Sequence, residues 1–470
     1  MLGLFSTLKM AARSLQADQT AVEVTGHNLS NADSTSYSRQ RVVLESNNVI
    51  VGGVGTQGTG VRVASIEQYR DSVLDAQIRQ EASVGGYWST TQTALQNTQT
   101  ELGEFLDGTS STSDTSSTST SSLGLSSQLN TLFSSFQSVA SDPSSLTNRQ
   151  TLVTNAQNLS RSFNEIDSRL CTINDNLNKS ISTDVDSANK LLSTIADLNA
   201  TIMRTEMTTG GTANDLRDAR EAKLEELSKL MDFTATAETN GTVTVASGGS
   251  TLVSQTAQTA SLEAYDDGTG QMQVRDSNGN SMSLASGSLQ GEISTRDGAL
   301  ADLRNGLNTL ASELITQVNS IYSAGYDLNG DTGANFFTGS GASDIGIDSD
   351  LLADPSLVQV AGAQGASGDN TIALALAQLS DQAQTNLGNK TFSENYNQLV
   401  TGLANSLSGA NDAVSNHDTV SSMLSTQRDS ASGVSLEEEM TNLMVYQRAY
   451  QASGRIISTV NTMMETLLNL

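Results

Sequence analysis

The sequence predicts a mainly α-helical, elongated protein with a small outer β insertion, its N- and C-terminal helices paired as a coiled coil. Three observations lead there. From Leu443 the last stretch carries a stripe at alternating 3,4 spacing: Leu443, Tyr446, Tyr450, Ser453, Ile457, Val460, Met464 and Leu467. This is the spacing of a coiled-coil seam. The same spacing runs through Leu4, Leu8, Ala11, Leu15, Asp18, Val22, Thr25 and Leu29 at the other end. Between the two ends only 2 prolines interrupt 470 residues, which permits long unbroken helices.

Composition bounds the function. The chain has 24 basic against 51 acidic residues, a net charge of -27, so nucleic acid and anionic membrane are poor partners. Only 36% is hydrophobic and 4% aromatic, too polar for one dense core and suited to long helices with polar β modules. Its single cysteine, Cys171, forms no internal disulfide framework and is expected to be packed or idle. No apolar run approaches the roughly 18 residues of a membrane span. The first 30 residues lack the apolar core and cleavage site of a secretory leader, so export is expected without a cleaved signal peptide.

The first helix is expected to end near Asn31, where 28–38 is a cluster of turn formers. The run His27-Asn28-Leu29-Ser30-Asn31-Ala32-Asp33-Ser34-Thr35-Ser36-Tyr37-Ser38-Arg39-Gln40 resembles the N-terminal motif of the flagellar rod, hook and hook-associated family. Asn28, Ser30, Asn31, Tyr37, Arg39 and Gln40 carry the match. The ending Tyr37 to Gln40 is similar to the hook-associated, junction-forming branch rather than to hook or rod proteins. Ser36 departs from the family's usual glycine. Residues 41–66 alternate around a glycine-rich centre and read as a hairpin or two extended segments. Gly53-Val54-Gly55-Thr56-Gln57-Gly58 fits G-x-G-x-x-G, but Val61-Arg62-Val63 continues as strand where a dinucleotide site needs a helix.

Residues 67–106 read as a helix, and Thr109–Ser122 as a solvated Ser/Thr connector. Asp142-Pro143 is placed at the start of the longest helix. Its stripe runs Leu152, Ala156, Leu159, Phe163, Ile166, Leu170, Ile173 and Leu177. A 4,4 step then passes through Ile181 and Val185 to Ala188, Leu192 and Ile195, which changes supercoiling without ending the helix. After Gly210-Gly211, Asp215-Leu216-Arg217-Asp218-Ala219-Arg220 opens another helix and again resembles the same branch of the family. Residues 234–288 switch to alternation, with Asn240-Gly241 as the main hairpin signal. Helical spacing returns over 289–321. Gly325-Tyr326-Asp327-Leu328-Asn329-Gly330-Asp331 with Asn335-Phe336-Phe337 is a further family-like segment. As a calcium loop it lacks the sixth-position glycine and twelfth-position glutamate. Residues 372–379 read as a short helix, and 391–431 lead into the terminal helix. Ser435 and Glu438 are placed as its capping box, and Glu437 to Glu439 as charge for its first turn.

Four regions follow. They are a terminal coiled-coil domain (1–35 plus 431–470), an extended connector (36–66), a helical rod (67–233 plus 289–430) and a β-rich outer insertion (234–288). No enzyme is expected. His27 lies in the turn motif and His417-Asp418 on a helix surface, with no nucleophile elbow, and no Cys/His cluster has metal spacing. No cofactor and no metal are expected.

The resemblance implies a structural flagellar protein, extracellular and exported through the type III channel. It forms a ring of its own copies between hook and filament. Its partners are then itself, the hook protein, a second junction protein and an export chaperone on the C-terminal helix. Leu4, Leu8, Leu15, Val22, Leu29, Leu443, Tyr446, Tyr450, Ile457, Val460, Met464 and Leu467 would be the subunit contacts. The alternatives are another axial protein (hook, rod or second junction protein) and an acidic surface adhesin. A secreted hydrolase is less well supported, having no candidate site.

Overall fold

The computed structural model of the protein describes residues 3–52, 55–102 and 124–469. The Ser/Thr tract at 109–122, residues 53–54 of the glycine loop and Leu470 lie outside them. Helix α1 spans Leu4–Ser30. Strands β1 (Gln40–Ser46), β2 (Val49–Gly52), β3 (Gly55–Gly58) and β4 (Val61–Gln68) then form one long arm. In that arm β1 pairs antiparallel with β4 and β2 with β3. Helix α2 spans Ser72–Leu102, starting later than position 67 because residues up to Gln68 belong to the β1–β4 ladder. Asp71 caps it, its carboxylate accepting the Val73 and Leu74 amides at 2.9 and 3.3 Å.

Helix α3 (Leu125–Ser141) is an element beyond those expected, burying Leu129, Leu132, Phe136 and Val139 along one face. The longest helix, α4, spans Leu146–Thr209. Its start corrects the placement at Asp142-Pro143: Ser145 is the cap, its hydroxyl accepting the Asn148 amide at 3.3 Å, and Pro143 sits in the preceding turn. Gly210 closes the helix with φ +70, the left-handed conformation that glycine adopts without steric cost.

Helix α5 (Asn214–Leu230) leads into the sheet β5 (Thr234–Ala237), β6 (Val243–Ser247), β7 (Ser250–Ser254) and β8 (Ala257–Gln258), with the hairpin β9 (Leu262–Asp266) and β10 (Met272–Asp276) beside it. The stretch expected as one helix is α6 (Ser288–Thr295), a π turn at Arg296–Leu300 and α7 (Ala301–Tyr322). The buried Arg296 sits at that turn and donates to the Met272 carbonyl at 2.6 Å and to Asn178 Oδ1 at 2.8 Å. The short strands β11 (Phe337–Thr338) and β12 (Gly346–Ile347) and the helices α8 (Ser349–Ala353) and α9 (Thr371–Gln378) precede the long α10 (Phe392–Ser432) and α11 (Leu436–Leu468).

Two hydrophobic cores divide the helical body. The first joins α2, α3, the first half of α4, α7, α9 and α10 around Phe136, Leu159, Leu310, Phe336 and Tyr396. The second joins Ile181 to Ala196 of α4 with Leu224 and Leu227 of α5 and Val245 and Leu252 of the sheet. The β insertion therefore covers the far half of α4 and shares a core with it.

Candidate functional site

The terminal helices α1 and α11 pack on one another and run antiparallel, since Asn28 meets Glu439 while Asp18 meets Ser453. Both Asp18 and Ser453 belong to the stripes read from sequence, and they bond at 3.3 Å. Burial pushes the Asp18 carboxyl up, partly offset by the Ser453 hydroxyl.

The buried residues of α1 form a line of mostly small side chains, Ala11, Ala17, Ala21, Val24 and Thr25, on a helix that packs against β1 and β4 as well as α11. Leu4, Leu8, Leu15, Val22 and Leu29 flank it, half-buried. On α11, Val460 is buried, Leu443, Tyr446, Ile457 and Met464 are half-buried, and Tyr450 and Leu467 are exposed. Beyond that contact, Met440 and Met444 are exposed near the start of α11, and Ile456, Met463 and Leu467 form an exposed apolar stripe towards its end, with Leu467 63% exposed.

A polar joint ties this pair to the body, and it gathers most of the motif residues. Asn28, buried on the last turn of α1, is bonded on both sides of its amide. Its Nδ2 donates to the Gln40 carbonyl (2.8 Å) and to Glu439 Oε2 (3.0 Å). Its Oδ1 accepts the Gln40 amide (3.0 Å) and the Tyr37 hydroxyl (2.7 Å). The side chain thus serves Gln40 as a strand neighbour would, starting β1 at that residue. The Gln40 side chain reaches α5 in turn, donating to Asp215 (2.8 Å) and accepting from Asn214 (3.3 Å).

Arg39 bridges the ends of the chain. Its guanidinium donates to Glu439 Oε1 (2.9 Å) and Glu438 Oε2 (2.8 Å). Its backbone amide donates to the Ser432 carbonyl, and its carbonyl accepts the Tyr69 amide. Burial works against the Arg39 charge, but Glu438 and Glu439 outweigh it and hold the group above its ordinary range. The expectation that Glu437 to Glu439 serve only the helix terminus is corrected here. Ser435 does accept the Glu438 amide (3.4 Å), whereas the Glu438 carboxylate is turned to Arg39 instead of back to the cap. A complete capping box stands at Thr391 and Glu394.

A second layer carries the joint into the body. The Ser38 amide donates to the buried Asp218 (3.0 Å), which also accepts from Arg70 (2.9 Å). Arg70 pairs further with Asp75 (2.6 Å) and Glu221 (3.5 Å). Burial pushes the Asp218 carboxyl up, and the Ser38 amide and Arg70 counteract it. Tyr37 is pushed well above its ordinary range by burial, then by Asp215, Asp218 and Glu439. Because the Tyr37 hydroxyl donates to Asn28, the His27 Nδ1 at 3.0 Å is assigned as a donor to it. Ser30 and Asn31 stand apart: both donate to the His27 carbonyl (2.9 and 3.0 Å) and finish α1. Sequence reading missed Asp215, Asp218 and Arg70 as members of the joint. Asp215 and Asp218 lie in the family-like run 215–220 and Arg70 in the family-like Tyr69-Arg70-Asp71, but nothing local joined the two segments.

Elsewhere the remaining candidates have structural places. His417 is half-buried and bonds Glu81 of α2 at 2.6 Å, which corrects its reading as an exposed pair with Asp418. Cys171 is half-buried, its thiol pushed up by burial and then by Asp167. Asp327 folds its loop by accepting the Asn329 and Asp331 amides, while Phe336 and Phe337 fill the first core. Among the described residues, no group of three His, Cys, Asp or Glu side chains is placed to hold a metal ion. No helix there is long and apolar enough to cross a membrane.

Comparison with known proteins agrees with this architecture. A family model for the helical domain of the flagellar hook-associated protein FlgK matches residues 110–337. One for the C-terminal region of flagellar basal body rod FlgEFG proteins matches residues 420–470. The chain is similar to the flagellar hook-associated protein 1 of Bacillus subtilis, 28% identical over 100% of this chain and 99% of the relative. It is also similar to that of Escherichia coli, 25% identical over 99% and 100%. The hook junction protein FlgK of Burkholderia pseudomallei shares the fold, with a TM-score of 0.65 at 14% identity over 76% of this chain and 100% of that one.

Proposed function

We infer that the chain is a member of the flagellar hook-associated protein 1 family and that, as a structural protein of the flagellum, it forms a ring of subunits joining hook to filament. The observation that carries the reading is the terminal helix pair: locked to the body by the Asn28–Arg39–Glu439 joint, it presents an apolar stripe that its own chain does not cover. In the ring, the pair (1–35 with 431–470) lines the inner tube. The connector at 36–66, the helical rod and the β insertion at 234–288 stand progressively outward. The subunit contacts are Leu4, Leu8, Leu15, Val22, Leu29, Leu443, Tyr446, Tyr450, Ile457, Val460, Met464 and Leu467, together with the outer stripe of α11.

The partners on this reading are further copies of the chain, the hook protein on one side and the second junction protein on the other. The protein leaves the cell through the flagellar type III apparatus, a chaperone covering α11 on the way, and acts outside the cell as a structural element. Covering α11 before export restrains association in the cytoplasm, because a helix that orders only against neighbours is aggregation-prone alone.

Deleting the gene in its flagellated host, imaging the cell surface and assaying the medium for filament subunit tests this. Bare hooks with leaked filament protein are expected. Missing hooks would move the protein into the rod or hook, and normal flagella would overturn the junction role.

A further inference from the structure

Helix α11 carries two seams, and its own chain fills only one. Glu439, Ser453 and Val460 are buried on the first, where Asn28 and Asp18 of α1 meet Glu439 and Ser453. The second runs Val445, Ala449, Ala452, Ile456, Thr459 and Met463. It alternates steps of four and three residues, as the first does, and each member stands one residue before a member of the first. It therefore faces about 100° further round the helix. Val445, Ile456 and Met463 are 56%, 43% and 53% exposed; Ala452 and Thr459 are exposed and Ala449 is half-buried. Two alternating seams side by side suit a helix with two partner helices, and α11 packs principally on α1.

Helix α1 has an opening of matching form. One side faces α11, and the arm packs on another through β1 and β4, with Gly60 against Met10. What remains is the line Lys9, Ala12, Gln16, Gln19, Glu23 and Gly26. Every member is exposed, and the steps again alternate three and four.

The charges on these two faces are complementary. Arg448 and Arg455 stand seven residues apart beside the second seam, both exposed, and among the described residues neither forms an ion pair. Glu23 on the open line of α1 is exposed too; it accepts from Gln19 at 3.0 Å and has no cation. Their heights agree. Asp18 bonds Ser453 across the pair. Glu23 lies five residues after Asp18 and Arg448 five before Ser453, so the antiparallel helices hold the two level. The same count sets Arg455 level with Gln16 and Thr462 level with Lys9. Within one copy Arg448 and Glu23 both face solvent and make no bond to one another.

We propose that the second seam of α11 packs on the open line of α1 in the next copy of the chain. The helices run antiparallel, in the register of the chain's own pair, so that Arg448 of one copy meets Glu23 of the next and Arg455 meets Gln16. The contact rests on the ring reading above and gives it a direction. It joins two different faces, and each copy offers one of each, so the array closes into a ring instead of stopping at a dimer. The apolar seam supplies the cover, while the charges fix register and partner. A slip of one heptad that set Lys9 opposite Arg455 would bring like charges together.

The test is made in the flagellated host, on strains whose only copy of the gene carries the variant. Glu23→Arg should reduce filament-bearing cells at least about tenfold, since like charges pressed together are strongly unfavourable, and Arg448→Glu should do the same. The double exchange, Glu23→Arg with Arg448→Glu, should restore filaments to near the wild-type level. Each purified variant should melt at the wild-type Tm, because both positions are exposed. Oxidising the flagella of a chain with Glu23→Cys and Arg448→Cys should give a ladder of multimers on a non-reducing gel, absent from either single variant. Multimers from Arg448→Cys alone would show two α11 helices meeting and would overturn the pairing with α1. A monomer that loses both new thiols would place the pair within one copy and overturn the contact. Wild-type filament numbers in both charge reversals, with no ladder, would overturn the contact and leave the ring standing. Deletion of the gene without loss of filaments would instead remove the ring reading itself. Should Glu23→Arg fail to accumulate, Arg448→Glu and the ladder still decide.

Discussion

Helices α4 and α11 carry the same kind of apolar stripe and meet different fates. On α4, Leu152, Leu159, Phe163, Leu170, Leu192 and Ile195 are all at most 1% exposed, because α3, α5, α6 and the β strands surround it. On α11, Val460 is buried at 5%, but Tyr450 is 41% and Leu467 63% exposed, because α11 packs principally on α1. Periodicity reports which face of a helix requires cover; the number of neighbours decides whether the chain itself supplies it. A rod that closes on itself is stable alone, whereas a helix pair with a bare stripe completes its packing only in company.

The largest effect should come from breaking the closed side of this comparison. Phe136 is fully buried, its ring 5.3 Å from that of Phe336, so Phe136→Ala should cost about 3–5 kcal/mol. Chemical denaturation followed by circular dichroism would check it. A loss under about 1 kcal/mol would mean that the first core relaxes around the gap and is not close-packed.

Next in size is the joint between the two regions. Glu439 has a side chain only 3% exposed, with Arg39 as its cationic partner. Arg39→Ala strands that carboxylate, a loss of roughly 3 kcal/mol for a buried pair broken on one side. The loss should be local. Amide exchange should quicken along α1 and α11 and stay unchanged in the centre of α4; uniform acceleration would show that the terminal pair and the rod unfold together.

Smaller again is the pH dependence of the α4–α6 contact, where Ser180 of α4 donates to the buried Glu292 of α6. Glu292 has a folded pKa raised from its ordinary value of 4.5 to about 8, chiefly by burial. The folded state then holds a proton that the unfolded state releases. Its stability is fully present below about pH 4.5 and falls as pH rises through about 8. At roughly 1.4 kcal/mol per pKa unit the loss is bounded near 5 kcal/mol, and water entering the contact brings it to on the order of 2 kcal/mol. Glu292→Gln should remove this slope from the wild-type profile of Tm against pH. An unchanged slope would place the titration elsewhere.

The legible and illegible parts of this molecule divide along the same line as its packing. The leucine periods of α4 and α7 and the Asn240-Gly241 turn could be read from sequence because each is local. The start of α4 was misplaced because Asp142-Pro143 is a stronger sequence signal than Ser145, although Ser145 makes the capping bond. The buried line on α1 was only half legible: Ala11 and Thr25 fall on the predicted stripe, but Ala17 and Ala21 bury little area and so contribute little to a hydrophobic pattern. The joint was half legible. Tyr37, Arg39 and Gln40 stood out in a family-like run, but nothing local tells Glu439 from Glu437, and only the pairing of Arg39 with a residue 400 positions away does so.

The smallest effect on the isolated chain falls on the open side of the comparison. Met463 and Leu467 lie four residues apart on α11, 53% and 63% exposed. Replacing both by serine removes apolar surface that already faces water, so stability in solution should change by no more than about 0.5 kcal/mol. In the proposed ring the same surface is covered by neighbouring copies, and each residue's burial there contributes about 1.5–3 kcal/mol per subunit contact. The double variant should therefore melt like the wild type yet fail to restore filaments to cells lacking the gene, with filament subunit leaking into the medium. Should it complement fully, the stripe is not a subunit contact. Should it instead lose more than about 1 kcal/mol as a monomer, α11 is already covered within its own chain, and the contrast with α4 disappears.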